Sequence, residues 1–388
     1  MTACIVGWSH SPFGKLEGDD VEALIGRVAA DALADAEVAP EEVDAIYLGW
    51  YNGGFSKQDF GSSLVMNAVP GLRYAPATRL ENACATGSAA VHQAANFLEA
   101  KQGRTVLVIG VEKMTATPGP EIGGILLQCS YVKEEAETEG GFAGVFGQIC
   151  NGYFQKYGDQ SDALAAIAAK NHKNGCENPY AQMRKDLGFD FCRHPSEKNP
   201  LVAGPLKRTD CSLVSDGAAA LVMRDGDAAL ASRKAVAIRS RAQVSDFLPM
   251  SKRDMTRLDG CARAWEKALE GARIALDDLD FVETHDCFTI AELMQYEAMG
   301  LAAPGEGAKA VLDGVTAKDG RLPVNASGGL KAKGHPIGAT GVSMHALAAM
   351  QVRGEAGGMQ VSGAEIGGVF NMGGAGVANY CSILQALR

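Results

Sequence analysis

Ala32, Leu33, Ala36, Val38, Val43, Asp44 and Ile46 recur as Ala268, Leu269, Ala272, Ile274, Leu279, Asp280 and Val282, each pair 236 residues apart with no gap. The match runs through an amphipathic helix, a short turn and a strand (DAIYLG, DFVETH), so it reads as a duplicated structural unit rather than a chance likeness. Later in each half, Ala85-Thr86-Gly87 and Ala339-Thr340-Gly341 open alanine-rich helical runs at an offset of 254, as expected if one half carries extra loop residues. Buried strands are expected at TVLVIG, AAALVM and AVAIRS, which makes each half an alternation of strands and helices. Residues 115–205 break that alternation with the helical GQICNGYFQKYG and DALAAIAAKNHKN and with polar loops. The expected α/β architecture is a first half over 1–120 completed by 205–232, an inserted loop domain over 121–204, and a second half over 233–388.

A chain of 388 residues with a net charge of −10 offers little to nucleic acid or to an anionic membrane. It has no uninterrupted apolar stretch long enough to span a bilayer and no cationic, apolar leader, so no membrane span and a cytoplasmic location are expected. The final LQALR is not a peroxisomal address. Ten cysteines are scattered without any C-x-x-C pair, which disfavours a structural zinc site or a redox dithiol. Most should be plain buried thiols.

Four segments stand apart. In RLENACATGSAAVHQAANFLEA, Cys84 precedes small residues and an apolar-periodic run, which places it on the turn into a helix. Free N–H groups and the helix dipole there are expected to lower its pKa. The alternative is one more buried thiol. In NASGGLKAKGHPIGATGVSMHA, five glycines lie between Gly328 and Gly341, and His335 sits before another helix start, where an imidazole is expected to stay neutral and accept a proton. A phosphate loop fails, because His335 stands where lysine is required. In FVETHDCFTIAEL, His285 and Cys287 share one side of an extended stretch at a strand's end, within reach of one cavity. A zinc site would need further ligands that the sequence does not offer. GGVFNMGGAGVANY has a glycine turn after a short strand, suited to donating a backbone N–H to an oxyanion.

These four segments resemble the active-site blocks of the thiolase family. The likeness spans essentially the whole chain, including KNHKNGCENPYAQMR and TDCSLVSDGAAALVM, which are similar to the branch related to the sterol-carrier-protein-2 thiolases. That branch has H-D-C-F where this chain has His285-Asp286-Cys287-Phe288, whereas biosynthetic and degradative thiolases have N-E-A-F. Those enzymes also carry an acid/base cysteine in a C-terminal C-x-G block, where this chain has Asn371-Met372-Gly373. The resemblance implies that Cys287 supplies the second thiol instead.

It further implies a thiolase fold of two βαβαβαββ-type halves in αβαβα layers, and reversible Claisen condensation or thiolysis of 3-ketoacyl-CoA in lipid and fatty-acid metabolism. Cys84 would be acylated and His335 would accept its proton. Cys287 would move the α-carbon proton. His285 with His335 would hold the enolate oxygen, and the N–H groups of Cys84 and Gly373 the thioester oxygen. Coenzyme A and acyl-CoA enter as substrates, with no resident cofactor or metal. A homodimer or homotetramer is expected, as is the absence of an appended lipid-carrier domain. Two other readings remain open: a β-ketoacyl synthase-type condensing enzyme using Cys84, His285 and His335, and a non-catalytic thiolase-like subunit that binds acyl-CoA. Neither acyl-chain specificity nor direction has a legible code.

Overall fold

A computed structural model describes residues 2–387. The first half contains β1 (Cys4–His10), α1 (Val21–Ala36), β2 (Ala45–Gly49), α2 (Gly61–Ala68), β3 (Ala77–Leu80), α3 (Thr86–Glu99) and β4 (Thr105–Glu112). Helices α4 (Gly119–Leu127), α5 (Val132–Glu135), α6 (Gly141–Tyr157), α7 (Ser161–Gly175) and α8 (Phe189–Arg193) follow, then the hairpin β5 (Leu201–Ala203) and β6 (Leu206–Lys207). The chain returns through β7 (Gly217–Arg224) and α9 (Gly226–Ala229). The second half has β8 (Val236–Ser245), α10 (Asp259–Ala272), β9 (Phe281–Glu283), α11 (Thr289–Ala298) and α12 (Gly307–Leu312). It closes with α13 (Gly329–Lys333), α14 (Ile337–Val352), β10 (Ile366–Gly373) and β11 (Ala378–Ala386).

The duplication reaches down to single backbone angles. Helix α1 starts where the Asp20 carboxylate accepts the N–H of Ala23, buries Val21, Leu24, Ile25, Val28, Ala29, Ala32, Leu33 and Ala36, and stops at Glu37 in the left-handed region. Its counterpart α10 stops at Arg273, 236 residues on, and both residues have φ of 55°. The strand order β3-β2-β4-β7-β1-β8-β11-β10-β9 has the same internal logic. In the first half, the strands in chain order lie third, second, fourth, fifth, first. In the second half β9, β10, β11 and β8 repeat that order, and the missing third position is reduced to the parallel bridge Val282↔Val324. The two half-sheets join along their first strands through Cys4↔Ala237 and Ile5↔Val236.

Helix α1 covers the outer face of the first half-sheet and α10 that of the second, while α3 and α14 lie between the two. Helix α14 is buried along its whole length and packs on α3 and on strands of both halves. Such an approach needs residues without a side chain: a Cβ on Gly87 would stand 2.7 Å from the Val342 nitrogen, and one on Gly341 only 2.1 Å from that of Ser88. The N-termini of α3 and α14 therefore meet, and they carry Cys84 and His335. The segment between β4 and β7 packs α7 against α11, α12 and α13 of the second half. Lys170 and Asn171 of α7 both hydrogen-bond the Glu292 carboxylate, and Asn171 also donates to Asp286, tying this segment to the loop after β9.

Candidate active site

Cys84 leaves a tight turn in which Ala83 adopts φ 49°, the Asn82 N–H donates to Thr86 Oγ1 at 2.8 Å, and the Ala85 N–H donates to the Asn82 carbonyl at 3.1 Å. The turn sets the sulfur at the start of α3 with 4% of the residue exposed. This overturns one expectation. Burial first, then the neighbouring thiols Cys129 and Cys287, hold the Cys84 thiol well above its ordinary pKa, although the N–H groups of Gly374 and of Cys84 itself pull the other way. A helix terminus offers a charge about 0.3–1 kcal/mol, whereas desolvating an ion costs several. Cys84 is thus a neutral thiol that would need a base to become a nucleophile.

The hydrogen bonds fix the tautomers of both histidines. Thr340 Oγ1 donates to the Pro336 carbonyl at 3.0 Å, so at 2.7 Å from His335 Nδ1 it can only accept. The His335 proton therefore sits on Nδ1, and Nε2 presents a lone pair. On the other side, Asn371 Oδ1 accepts from Ser88 Oγ at 2.8 Å, which orients its amide so that Nδ2 donates to the Cys84 carbonyl at 3.0 Å and to His285 Nδ1 at 2.9 Å. His285 must then carry its proton on Nε2. Both Nε2 atoms are buried without a partner among the described residues, and the two rings stand 5.1 Å apart, nearly perpendicular. Burial and the Lys333 ammonium push His335 down to about 3, and burial, His335 and Lys333 hold His285 well below the imidazole range.

Cys84 Sγ and one nitrogen of each ring lie within 4.8 Å of one another, close enough for a metal ion. The tautomers suit acid–base work instead: a protonated Nε2 on His285 donates and cannot coordinate.

Strand β9 stops at Glu283, so His285 and Cys287 reach the site from a bend rather than from an extended strand. Gln295 clamps the bend by accepting the His285 N–H at 3.1 Å and donating to its carbonyl at 2.7 Å. The Asp286 carboxylate accepts the N–H groups of Leu330 and Lys331, tying the bend to α13. Cys287, His335 and Cys84 line one cavity of about 300 Å³, and a ring nitrogen of His285 lies within 4.8 Å of both Cys84 Sγ and a nitrogen of His335. Burial and then Asp286 push the Cys287 thiol well up. The turn after β10 brings the Gly374 N–H to the Cys84 sulfur, next to Gly373, whose own Cβ position is filled by the Asn82 carbonyl at 2.4 Å.

Several groups at this site carry little signal in the sequence. Asn371 registered only as a missing cysteine, and Cys129, which lines the same cavity, only as one of the scattered thiols. Thr340 did leave a signal, since it pairs with Thr86 in the repeated Ala-Thr-Gly, and each of the two hydroxyls braces the residues just before its helix.

Residues 3–188 match the thiolase N-terminal domain, and residues 242–386 match the thiolase C-terminal domain-like family. Acetyl-CoA acetyltransferase of Methanothermobacter thermautotrophicus is 37% identical, over 96% of both chains. Sterol carrier protein 2 of Homo sapiens is 31% identical over 95% of this chain and 69% of its own. Among solved structures, the Ltp2-ChsH2(DUF35) aldolase superposes with a TM-score of 0.84 at 21% identity, covering 100% of this chain and 98% of that one, which is a likeness of fold.

Proposed function

The chain belongs to the thiolase family, and from that premise we propose that it cleaves and forms 3-ketoacyl-CoA thioesters through an acyl-enzyme on Cys84. The observation that carries this reading is the pair of opposite tautomers beside one buried thiol: His335 Nε2 accepts a proton where His285 Nε2 donates one.

In thiolysis, Cys84 Sγ attacks the 3-keto carbonyl while its proton passes to His335 Nε2. The oxyanion rests on the N–H of Cys84 and on the turn at Gly373 and Gly374. Collapse breaks the bond between the α- and β-carbons, and the departing enolate oxygen takes a hydrogen bond from His285. Cys287 gives its proton to the α-carbon, a task suited to a thiol whose pKa burial raises. Incoming coenzyme A returns a proton to Cys287, and its sulfur attacks the acyl group. Cys84 leaves and recovers its proton from His335. Condensation is the same path reversed.

The same reading makes the protein a cytoplasmic homodimer or homotetramer with no resident cofactor, and a monomer in light scattering would contradict the assembly. We also take 121–204 as an inserted domain between halves 1–120 with 205–232 and 233–388.

Incubation with acetyl-CoA should leave an acetyl group on Cys84 by mass spectrometry, and Cys84→Ala should lose both label and turnover. Cys287→Ala should keep the label, lose exchange of the acetyl-CoA α-hydrogens with deuterium, and lower thiolysis by about 10²- to 10⁴-fold. Retained exchange and turnover of malonyl donors in Cys287→Ala would instead mark a β-ketoacyl synthase. A second reading, a thiolase-fold aldolase component like the Ltp2-ChsH2 protein, has the fold likeness in its favour. It needs no acyl-cysteine, so carbon–carbon cleavage surviving in Cys84→Ala would select it.

A further inference from the structure

Resting on that reading of Cys84, we propose that the transferred acyl group is apolar and larger than acetyl, with roughly six to ten carbons, and that α4 and the start of α6 enclose it. The cavity at the sulfur holds about 300 Å³, room for about ten non-hydrogen atoms at the ~30 Å³ that a water-sized group takes. Once coenzyme A has left, an acetyl group on Cys84 would fill less than a third of it.

The character of the wall points the same way. Away from Cys84, Cys287 and His335 its wall is mostly apolar, with Leu126, Phe142, Phe288 and Ile337 among its residues and Arg208 and Ser212 as its polar side chains. The Phe288 ring stacks on Phe146 at 4.3 Å between centroids, and Phe142 meets Phe146 edge-on at 5.5 Å, so the aromatic side is held rigid before any substrate arrives. An acetyl group would leave these rings facing water. A larger apolar group would cover them.

Gly123 supplies a handle on this compartment. It lines the cavity from within α4, and a Cβ built on it would meet nothing within 4 Å among the described residues. Alanine or leucine would serve a helix better there, so the open space faces a position where a side chain would cost the fold nothing. Gly124, its neighbour on α4, likewise meets nothing within 4 Å among the described residues but does not line the cavity.

The test compares thiolysis of acetoacetyl-CoA, 3-ketooctanoyl-CoA and benzoylacetyl-CoA by the full-length protein. One or both of the larger substrates should exceed acetoacetyl-CoA in kcat/KM by about tenfold or more, and the linear and ring-bearing arms read the shape of the group. Gly123→Val should lower the ratio of the preferred large substrate to acetoacetyl-CoA by about tenfold, whereas Gly124→Val should leave that ratio and the melting temperature unchanged. Acetoacetyl-CoA as the best substrate, or an equal loss on all three substrates in Gly123→Val, would overturn the compartment while leaving the Cys84 label in place. Absence of an acyl label from every thioester would bring down the underlying reading and this proposal with it.

Discussion

Asn371 turns from a missing cysteine into the residue that decides what His285 can do. Its amide is fully committed, to Ser88, to the Cys84 carbonyl and to His285 Nδ1, and it does not face the cavity. A cysteine placed there would give up all three hydrogen bonds and free the His285 ring, so Asn371→Cys in a Cys287→Ala background should restore little. Asn371→Leu should keep acylation of Cys84 but lower carbon–carbon cleavage by about 10²-fold or more, the scale of losing one oriented oxyanion donor. Comparing the burst of acyl-enzyme with steady-state turnover separates the two effects. Thr340→Val removes the acceptor that fixes the His335 tautomer; a fall of about 10- to 100-fold in acylation is expected, with recovery in Thr340→Ser. The pH dependence has a definite sign. His335 at about 3 stays neutral through the physiological range, so single-turnover acylation should lose no rate to its protonation between about pH 5 and 8. Lys333→Met removes a cation that disfavours imidazolium, so the acid limb of that profile should move to higher pH.

At the scale of elements, the geometry of the candidate site depends on two helix N-termini brought together by glycine. A Cβ at Gly341 would strike the Ser88 nitrogen at 2.1 Å and Asn371 Oδ1 at 2.6 Å, backbone on one side and the His285 clamp on the other. Gly341→Ala should therefore cost about 1–3 kcal/mol or more in denaturant unfolding, and it should lower acylation in whatever fraction remains folded. Gly152→Ala, within α6, meets nothing nearer than a Thr256 methyl at 3.8 Å and should be neutral or stabilising by up to about 1 kcal/mol. Part of the glycine around His335 makes room for the chain itself: Gly341 faces the start of α3, and Gly338 faces the backbone at the ends of β2 and β4.

For the whole molecule, stability should depend on pH through its buried imidazoles. His10, His172 and His335 are pushed down to about 3 and His345 to about 4, mainly by burial, and His92 and His285 lie well below the ordinary range. As pH falls through about 6.5, the unfolded chain takes up protons on these six that the folded chain refuses, so stability is lost toward acid. Burial works in the opposite sense on three carboxyls: Glu112 and Asp286 are raised to about 7 and Glu283 is raised as well, so the folded chain keeps protons that the unfolded chain releases. Six outweigh three, and chemical denaturation between about pH 6.5 and 4.5 should show stability falling by on the order of a few kcal/mol per pH unit. Stability that rises over that interval would contradict the sign. Sequence alone determined the duplication, the α/β alternation and the four segments bearing Cys84, His285, Cys287 and His335, because periodicity, small-residue runs and turn chemistry are local properties that survive in a linear string. Only the tertiary structure decided which proton each imidazole carries, that Cys84 is a neutral thiol, and what lines the cavity. Those properties come from Ser88, Thr340, Asn371 and the α4–α6 segment meeting across the fold, and from desolvation, which depends on how deeply a group is covered rather than on its neighbours in the chain.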